Sequence, residues 1–247
     1  MKGPTLQEDH KSRVTNVGAP APLKTGPAFL FDLDGTLVDS VYQHVLAWQE
    51  ALEKMGIELA VWRIHRRIGV SGGLLVNALR REIGHRVTKA EAERLARLHS
   101  EAYARLAPHV PALPGASKLL AFLSSTGLPW AIATSGRMES ARPMLELLRV
   151  EPNSLVITRD QVHRAKPDPD LFLAAASGLG VSIHDSVVVG DSVWDLLAAR
   201  RARALGVGLL SGGYGQDELE RAGAYRVYQD PDDLLRHLDE VGFRASE

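Results

Sequence analysis

The sequence predicts an α/β fold: a doubly wound parallel sheet with an all-helical segment inserted after its first strand. Three observations support this prediction. Short apolar runs such as residues 28–31 lack polar alternation, which is typical of parallel strands buried on both faces. After residue 114 such runs alternate with helical patterns, which implies parallel strands joined by right-handed crossovers. Between residues 41 and 111 the patterns indicate helices only.

The inserted helices are recognised by their ends and by their apolar faces. Ser40 is expected to cap a helix that ends near Gly56, because apolar residues recur on one helical face between them. Thr88 and Glu91 have the spacing of a capping box, which predicts a helix that continues to about residue 106. Prolines at residues 108–114 mark the end of the insertion.

The remaining elements alternate between strand and helix. Strands are predicted at residues 129–133, 154–158, 186–189, 204–210 and 225–228. Helices are predicted at residues 115–126, 138–148, 169–179, 193–203 and 217–222, and from residue 230. Asp168 is expected to cap the third of these helices, with Pro169 at its first position.

The composition of the chain argues against several classes of protein and of site. The net charge of −1, with acids and bases interspersed, argues against a nucleic-acid-binding surface and a basic membrane-binding face. The absence of cysteine excludes disulfides, thiolate metal sites and cysteine nucleophiles, and it suits a cytoplasmic protein. No apolar run reaches the length of a membrane span.

The patterns divide the chain into three parts. Residues 1–26 lack the apolar core of a signal peptide and are predicted to be a mostly disordered extension. Residues 27–40 and 112–247 are predicted to form the sheet domain, and residues 41–111 the helical insertion. The insertion contains a glycine-rich loop at residues 66–73.

Two carboxylates follow the first strand, in the segment Asp32-Leu-Asp-Gly-Thr36. In an extended chain the side chains of Asp32 and Asp34 leave on the same side. Two carboxylates held together repel each other unless a cation or a shared proton relieves them. A hard divalent cation bound through oxygen, such as Mg²⁺, is the simplest relief.

More polar residues follow other strands or precede a helix on the same side of the sheet. Thr134 and Ser135 end one strand, Asp191 and Asp195 follow another, and Lys166 precedes a helix. Ligands of such sheets bind at the carboxyl ends of the strands, so this set suits a Mg²⁺-bound phosphate. Simpler explanations stay open: a turn for the hydroxyls, a solvated lysine, and helix capping or a helix dipole for the acids.

Together these motifs make the chain resemble the haloacid dehalogenase-like hydrolase superfamily, in its branch with a helical cap after the first strand. The matching motifs are residues 32–36, 134–135, 166–167 and 190–195, and the resemblance extends from residue 28 to the C-terminus. Phosphoglycolate phosphatases and β-phosphoglucomutase-like proteins represent this branch. The resemblance implies a Rossmann-like core, an aspartyl-phosphate mechanism and a mobile cap at residues 41–111, hinged near residues 38–40 and 108–114.

The resemblance also implies roles in the core. Asp32 would be the nucleophile and a Mg²⁺ ligand. Asp34 would be the general acid and base, with its backbone carbonyl on the metal. Asp191 would complete the metal site, with Asp195 as a supporting acid.

Thr134, Ser135 and Lys166 would bind the phosphoryl group. Three cap residues are candidates for contact with the substrate, namely His44, Arg67 and Gly69. The simpler alternatives are a helix-surface histidine at position 44 and a solvated positive pair at Arg66 and Arg67.

Several activities occur within this superfamily. The dehalogenases lack the second aspartate of the first motif, so Asp34 speaks against them. Phosphonate hydrolases use a Schiff-base lysine in the cap, where this chain offers only Lys54 and Lys89, each in a plausible solvated helix position. Neither activity is predicted.

A phosphomutase is the main alternative to a phosphatase. His44 and Trp48 resemble residues of the β-phosphoglucomutase-like members in their placement. Against that alternative, Gly72 replaces the arginine that grips a second phosphate, and Gly190 stands where the mutases have an acid. Thr36 is also the phosphatase-like residue.

The sequence therefore predicts a cytoplasmic, Mg²⁺-dependent phosphatase that hydrolyses a small phosphate monoester through an aspartyl phosphate. Its partner is a small phosphorylated metabolite, such as phosphoglycolate or a sugar phosphate, without nucleic acid or membrane. A non-catalytic binding protein on the same fold is a further alternative, disfavoured because every motif residue is present. The oligomeric state is left open.

Overall fold

The computed structural model describes residues 27–70, Val76 and residues 87–243. The predictions for the extension at residues 1–26 and for loop residues 71–73 lie outside this part of the chain.

Within the described residues, six strands form one sheet in the order β3-β2-β1-β4-β5-β6, and every neighbouring pair is parallel. The strands are β1 Ala28–Phe31, β2 Trp130–Ala133, β3 Val156–Ile157, β4 Ser186–Gly190, β5 Leu205–Leu209 and β6 Ala224–Tyr228. The predicted doubly wound parallel sheet is confirmed. The central strand β1 has β2 on one side and β4 on the other, so the chain reverses its direction of winding at β1 and β4. A sheet of this order binds ligands at that point, beyond the carboxyl ends of the strands.

Helices connect the strands. The described part of the insertion contains α1 Val41–Glu53, α2 Val61–His65 and α3 Lys89–Leu106. Those that flank the sheet are α4 Ala116–Ser125, α5 Met138–Leu147, α6 Asp170–Leu179, α7 Val193–Ala202, α8 Gln216–Ala222 and α9 Pro231–Arg236.

The sheet is buried on both faces, as its apolar strands predict. Successive residues of β1 point to opposite sides. Phe29 and Phe31 join one apolar cluster with α4 and α9, while Leu30 joins a second cluster with α6 and α7. Each large side chain buried in this way stabilises the fold by roughly 1.5–3 kcal/mol. Because helices cover both faces of the sheet, the carboxyl edge of the strands is left for polar residues.

The insertion has an apolar core of its own. Val45, Trp48 and Leu52 of α1 pack there with Ile64 of α2 and Leu95 of α3. The segments that enter and leave the insertion run side by side, with the Asp39 amide donating to the Pro111 carbonyl at 3.0 Å. The Leu113 amide donates to the Leu37 carbonyl, also at 3.0 Å. Among the helices of the described residues, none combines the length and the apolar character needed to cross a membrane.

Helix α3 begins as predicted. The Glu91 amide donates to Thr88 Oγ1 at 3.2 Å, and the Thr88 amide donates to the Glu91 carboxylate at 2.7 Å. The capping box is therefore complete.

Ser40 occupies the capping position of α1 as predicted but makes no capping hydrogen bond, and the cap predicted at Asp168 is wrong. The hydroxyl of Ser40 does not cap α1, because it donates instead to Asp34 Oδ1 at 2.6 Å. Asp168 does not cap α6, which begins at Asp170 with Pro169 in the capping position. The Asp168 carboxylate instead lies 3.4 Å from Arg201 Nη1. In both cases the side chain binds a residue outside the helix instead of the amides at the start of the helix.

Candidate active site

Lys166 is a fully buried ammonium at the carboxyl edge of the sheet. It forms ion pairs with Asp32, which follows β1, and with Asp195, whose Oδ1 lies 2.8 Å from Lys166 Nζ. Burial alone would lower the pKa of Lys166, but the two carboxylates hold it above its ordinary value. Lys166 is therefore a fixed positive charge, and its alternative as a solvated lysine is wrong.

Asp191 lies next to this pair, directly after β4. Thr36 Oγ1 donates to Asp191 Oδ1 at 2.9 Å. Glycines give the carboxylate its space: a Cβ at Gly212 would lie 1.9 Å from Asp191 Oδ2, and one at Gly35 would lie 2.5 Å from it. Gly35 also has a φ of 83°, which other residues rarely adopt. Asp191 is thus held between the loop after β1 and the loop after β5.

Asp195 has two partners. Its Oδ2 accepts from the Ser192 amide at 3.1 Å, which completes a capping box at the start of α7, and its Oδ1 faces Lys166. Ser192 is the capping residue, so the alternative that Asp191 caps this helix is wrong.

Asp32, Asp191 and Asp195 offer oxygen atoms that all lie within 4.8 Å of one another. Three carboxylates and the single ammonium of Lys166 leave a formal charge of −2 if all are ionised. Burial, the largest cause, raises the pKa of Asp32 to about 7 despite Lys166. Burial and then the charges of Asp195 and Asp32 raise the pKa of Asp191 well above its ordinary value.

A divalent cation fits this donor set. The ligand atoms are all oxygen, which suits a hard ion such as Mg²⁺, and two positive charges would balance the excess negative charge. Burial and then the neighbouring carboxylates raise the pKa values of Asp32 and Asp191, and a bound cation would favour the ionised form of both.

Asp34 points to the cap. Its Oδ1 accepts from Ser40 and lies 3.2 Å from His44 Nε2. Burial would raise the pKa of Asp34, but the charge and hydrogen bond of His44 and the hydrogen bond of Ser40 bring it below its ordinary value. A Cβ at Gly136 would lie 3.8 Å from Asp34 Oδ2, so Asp34 also adjoins the loop after β2.

His44 is enclosed in a stack of rings, with only 14% of its side chain exposed, so its alternative as a surface histidine is wrong. Its ring lies 3.9 Å from that of Tyr103, and its Nδ1 lies 3.2 Å from His99 Nε2. The His99 ring stacks on Trp48 at 4.2 Å. Burial and then His44 lower the pKa of His99 to about 3.

Sequence reasoning missed His99 and Tyr103. Together with Leu95 they are spaced four residues apart, which places all three on one face of α3. A histidine in line with a buried leucine was the available signal.

The loop after β2 brings two hydroxyls to the site. Thr134 Oγ1 accepts from the Gly136 amide at 2.9 Å, which fixes the turn. The Oγ of Ser135 is buried and has no hydrogen-bond partner within the described residues. Such a hydroxyl can donate to an oxygen of a bound phosphate.

The remaining cap residues lie at different places. Gly69 has a φ of 94°, and a Cβ there would lie 2.9 Å from Ser192 Oγ, so the cap loop reaches the start of α7. Arg67 donates to the Arg63 carbonyl at 2.8 Å. Arg66 forms an ion pair with Glu218 of the core, and 37% of its side chain stays exposed to solvent.

Comparison with known proteins places this site among hydrolases. The model of the haloacid dehalogenase-like hydrolase family matches residues 27–203. Hexitol phosphatase A of Escherichia coli (strain K12) is 36% identical over 177 residues, which cover 70% of this chain and 78% of that protein. β-Phosphoglucomutase of Bacillus subtilis (strain 168) is 29% identical over 225 residues, covering 85% and 92%. The crystal structure of a hydrolase from Pseudomonas syringae has a TM-score of 0.86 and 56% identity, covering 88% and 100%.

Proposed function

The chain belongs to the haloacid dehalogenase-like hydrolase family and is a phosphatase of small phosphate esters, and on that premise we propose that it works through an aspartyl phosphate on Asp32 with Mg²⁺ as its metal. The observation that carries the proposal is the buried cluster of Asp32, Asp191 and Asp195 around Lys166. Its excess negative charge calls for a divalent cation, and its position at the carboxyl edge of β1 and β4 suits a phosphate.

Asp32 attacks phosphorus in the first step. Its carboxylate forms a bond to the phosphoryl group while the bond to the ester oxygen breaks. Asp34, which takes up a proton once the anionic ester binds beside it, gives that proton to the departing alkoxide. Lys166 offsets the negative charge of the phosphoryl oxygens, and Thr134 and Ser135 hydrogen-bond them. When bound by Asp32, Asp191 and the backbone carbonyl of residue 34, Mg²⁺ supplies further charge neutralisation.

Water completes the reaction. Asp34, now ionised, takes a proton from the water that attacks the phosphorus atom of the aspartyl phosphate. The acyl–phosphate linkage breaks, inorganic phosphate leaves, and Asp32 returns as a carboxylate. The contact between Asp34 and His44 of the cap holds the acid and base at the boundary where the leaving group must lie.

Replacement of the nucleophile tests the mechanism. We expect Asp32→Asn to lower Mg²⁺-dependent phosphate release at least about 1,000-fold, because an amide cannot form the covalent intermediate. The control is Asp168→Asn, which removes an acid outside the cluster and should leave release unchanged. Phosphate release by Asp32→Asn at the rate of the unmodified enzyme would overturn the mechanism.

We propose sugar and polyol phosphates as the substrate class. The similarity to hexitol phosphatase A supports this choice. Arg67 and Gly69 are proposed to line the rest of the cap side. A panel of hexitol phosphates, sugar phosphates and phosphoglycolate, assayed with Mg²⁺, tests the class. A kcat/KM for phosphoglycolate above all polyol and sugar phosphates would contradict it.

A phosphomutase is the second candidate, because β-phosphoglucomutase of Bacillus subtilis is similar over 85% of the chain. Residue 190 argues against it. A Cβ at Gly190 would lie 2.2 Å from the Cβ of Asp195, so an acid has no room at this position. The test supplies a sugar phosphate together with a bisphosphate primer. Isomerisation faster than phosphate release would favour the mutase.

Three features stay predictions: a cytoplasmic location, residues 41–111 as the cap domain, and the absence of a nucleic-acid partner. Cell fractionation tests the first. Limited proteolysis at residues 38–40 and 108–114 tests the second. Electrophoretic mobility with DNA and RNA tests the third.

A further inference from the structure

The cap also touches the core at the loop after β5. His65, the last residue of α2, lies with its Nε2 2.8 Å from the carbonyl oxygen of Gly212 in the loop after β5. Arg66 binds Glu218 of α8 with two hydrogen bonds, and its guanidinium lies 4.2 Å from the ring centre of Tyr214. We call these five residues the cap–core contact.

Further hydrogen bonds and ring stacking hold the residues of the cap–core contact in place. The hydroxyl of Tyr214 donates to the Arg66 carbonyl at 3.1 Å, so the arginine is held at both its backbone and its side chain. The His65 ring stacks on Tyr42 of α1, with ring centres 5.4 Å apart. Because the Gly212 carbonyl can only accept, His65 Nε2 must carry the proton in this contact.

The core side of the contact also forms a wall of the metal site. Gly212, whose carbonyl binds His65, lies directly against the carboxylate of Asp191, where a Cβ would fall 1.9 Å from Oδ2. The neighbouring Ser211 Oγ donates to the Gly35 carbonyl at 2.6 Å, and Gly35 packs on the other side of Asp191. One short loop thus receives the cap and confines the proposed metal ligand.

We propose that His65 and Arg66 are positioning residues that couple docking of the cap to the affinity of the Asp191 site for Mg²⁺. Docking fixes the loop at residues 210–213, and the fixed loop holds the Asp191 carboxylate toward Asp32. The inference rests on the proposed metal site but assigns residues that lie outside it. Such coupling is reciprocal, so bound Mg²⁺ also favours the docked cap.

Calorimetric titration of the full chain with Mg²⁺, without substrate, tests the coupling. We expect Arg66→Gln and Glu218→Gln each to raise the Kd for Mg²⁺ about fivefold. The double variant should be no worse than either single one, because both changes remove the same contact. The matched control is Arg226→Gln, which breaks an arginine–glutamate pair between β6 and residue 240 on the core surface, remote from the cap.

His65 provides a test by rescue. His65→Phe keeps an aromatic ring on Tyr42 but removes the N–H donor, and we expect it to raise the Kd for Mg²⁺ about fivefold. His65→Gln restores an N–H donor and should recover most of the affinity. Melting temperatures of all variants show that each is folded.

The outcomes separate the two proposals. If the unmodified chain binds Mg²⁺ but all variants bind it with the same Kd, or if Arg226→Gln weakens binding equally, the coupling is overturned and the metal site stands. If the unmodified chain does not bind Mg²⁺ at all, the metal site fails and the coupling fails with it. Weaker binding by both Arg66→Gln and His65→Phe, with recovery by His65→Gln, supports the coupling.

Discussion

At the scale of single residues, Lys166 determines whether the carboxylate cluster can stay buried. It is fully enclosed and pairs with Asp32 and Asp195, which are themselves buried. Lys166→Met would leave these carboxylates without a positive partner. Breaking a buried ion pair by removing one member costs about 3–5 kcal/mol. We therefore expect the free energy of unfolding, measured by urea denaturation, to fall by about that amount.

The control for this prediction is Lys118→Met on α4, where the lysine is exposed. A surface change of this kind should alter the free energy of unfolding by less than about 0.5 kcal/mol. Mg²⁺ should restore part of the stability lost in Lys166→Met, because the ion supplies positive charge to the same carboxylates. Equal unfolding midpoints for Lys166→Met and Lys118→Met would contradict the argument.

A substitution at Ser135 should weaken catalysis without changing stability. Its hydroxyl is buried without a partner among the described residues, so Ser135→Ala removes no hydrogen bond of the folded chain. We expect an unchanged melting temperature and a kcat/KM lowered about tenfold, because one hydrogen bond to the phosphoryl oxygens is lost.

Ser182 offers the opposite case. Its Oγ accepts from the His184 amide at 3.2 Å, in the turn before β4 and so at the opposite end of that strand from Asp191. Ser182→Ala should lower the melting temperature and leave kcat/KM unchanged. A drop in kcat/KM for Ser182→Ala as large as that for Ser135→Ala would show that the effect is not local to the site.

At the scale of elements, helix-capping rules gave correct predictions where a side chain binds only residues of its own helix. The capping box of Thr88 and Glu91 is such a case, because the two residues bind each other at the start of α3. The rules failed at Ser40 and Asp168, whose side chains bind Asp34 and Arg201 instead. Those partners lie on other elements, and one sequence does not show which of them will be near.

The capping box yields a prediction about α3. We expect Thr88→Ala to lower the free energy of unfolding by about 1 kcal/mol, since one amide at the helix start loses its acceptor. Urea denaturation followed by circular dichroism measures the change. Ser117→Ala in the first turn of α4 is the control, because the capping position of that helix is Gly115 and no loss of a cap is expected. A loss for Ser117→Ala as large as that for Thr88→Ala would argue against capping as the cause.

At the scale of the whole molecule, the parallel sheet and the edge that holds the site could be predicted, because parallel strands bring all their carboxyl ends to one edge. The contacts of His65 and Glu218 could not. Each acts through a contact between elements distant in sequence, such as His65 with Gly212, 147 residues apart. That contact depends on the angle at which α2 meets the core. Neither the composition nor the periodicity of the sequence predicts this angle.

The last prediction concerns motion of the cap. Backbone hydrogen bonds join the two connecting segments, Asp39 with Pro111 and Leu37 with Leu113, and the apolar core of the insertion is separate from the clusters that cover the sheet. Rotation at these segments would move one core relative to the other. The chain has no cysteine, so Glu58→Cys on the cap and Glu220→Cys on α8 would give a doubly labelled enzyme for energy transfer. We expect several populations of transfer efficiency without ligand. Mg²⁺ with vanadate, a phosphate analogue, should produce one narrow population as α2 docks on the loop before α8.

A control pair at Glu151→Cys and Glu220→Cys, both in the core, should not respond. An identical efficiency distribution for the cap–core pair with and without Mg²⁺ and vanadate would mean that the cap stays docked throughout, and substrate would then have to enter past a fixed cap.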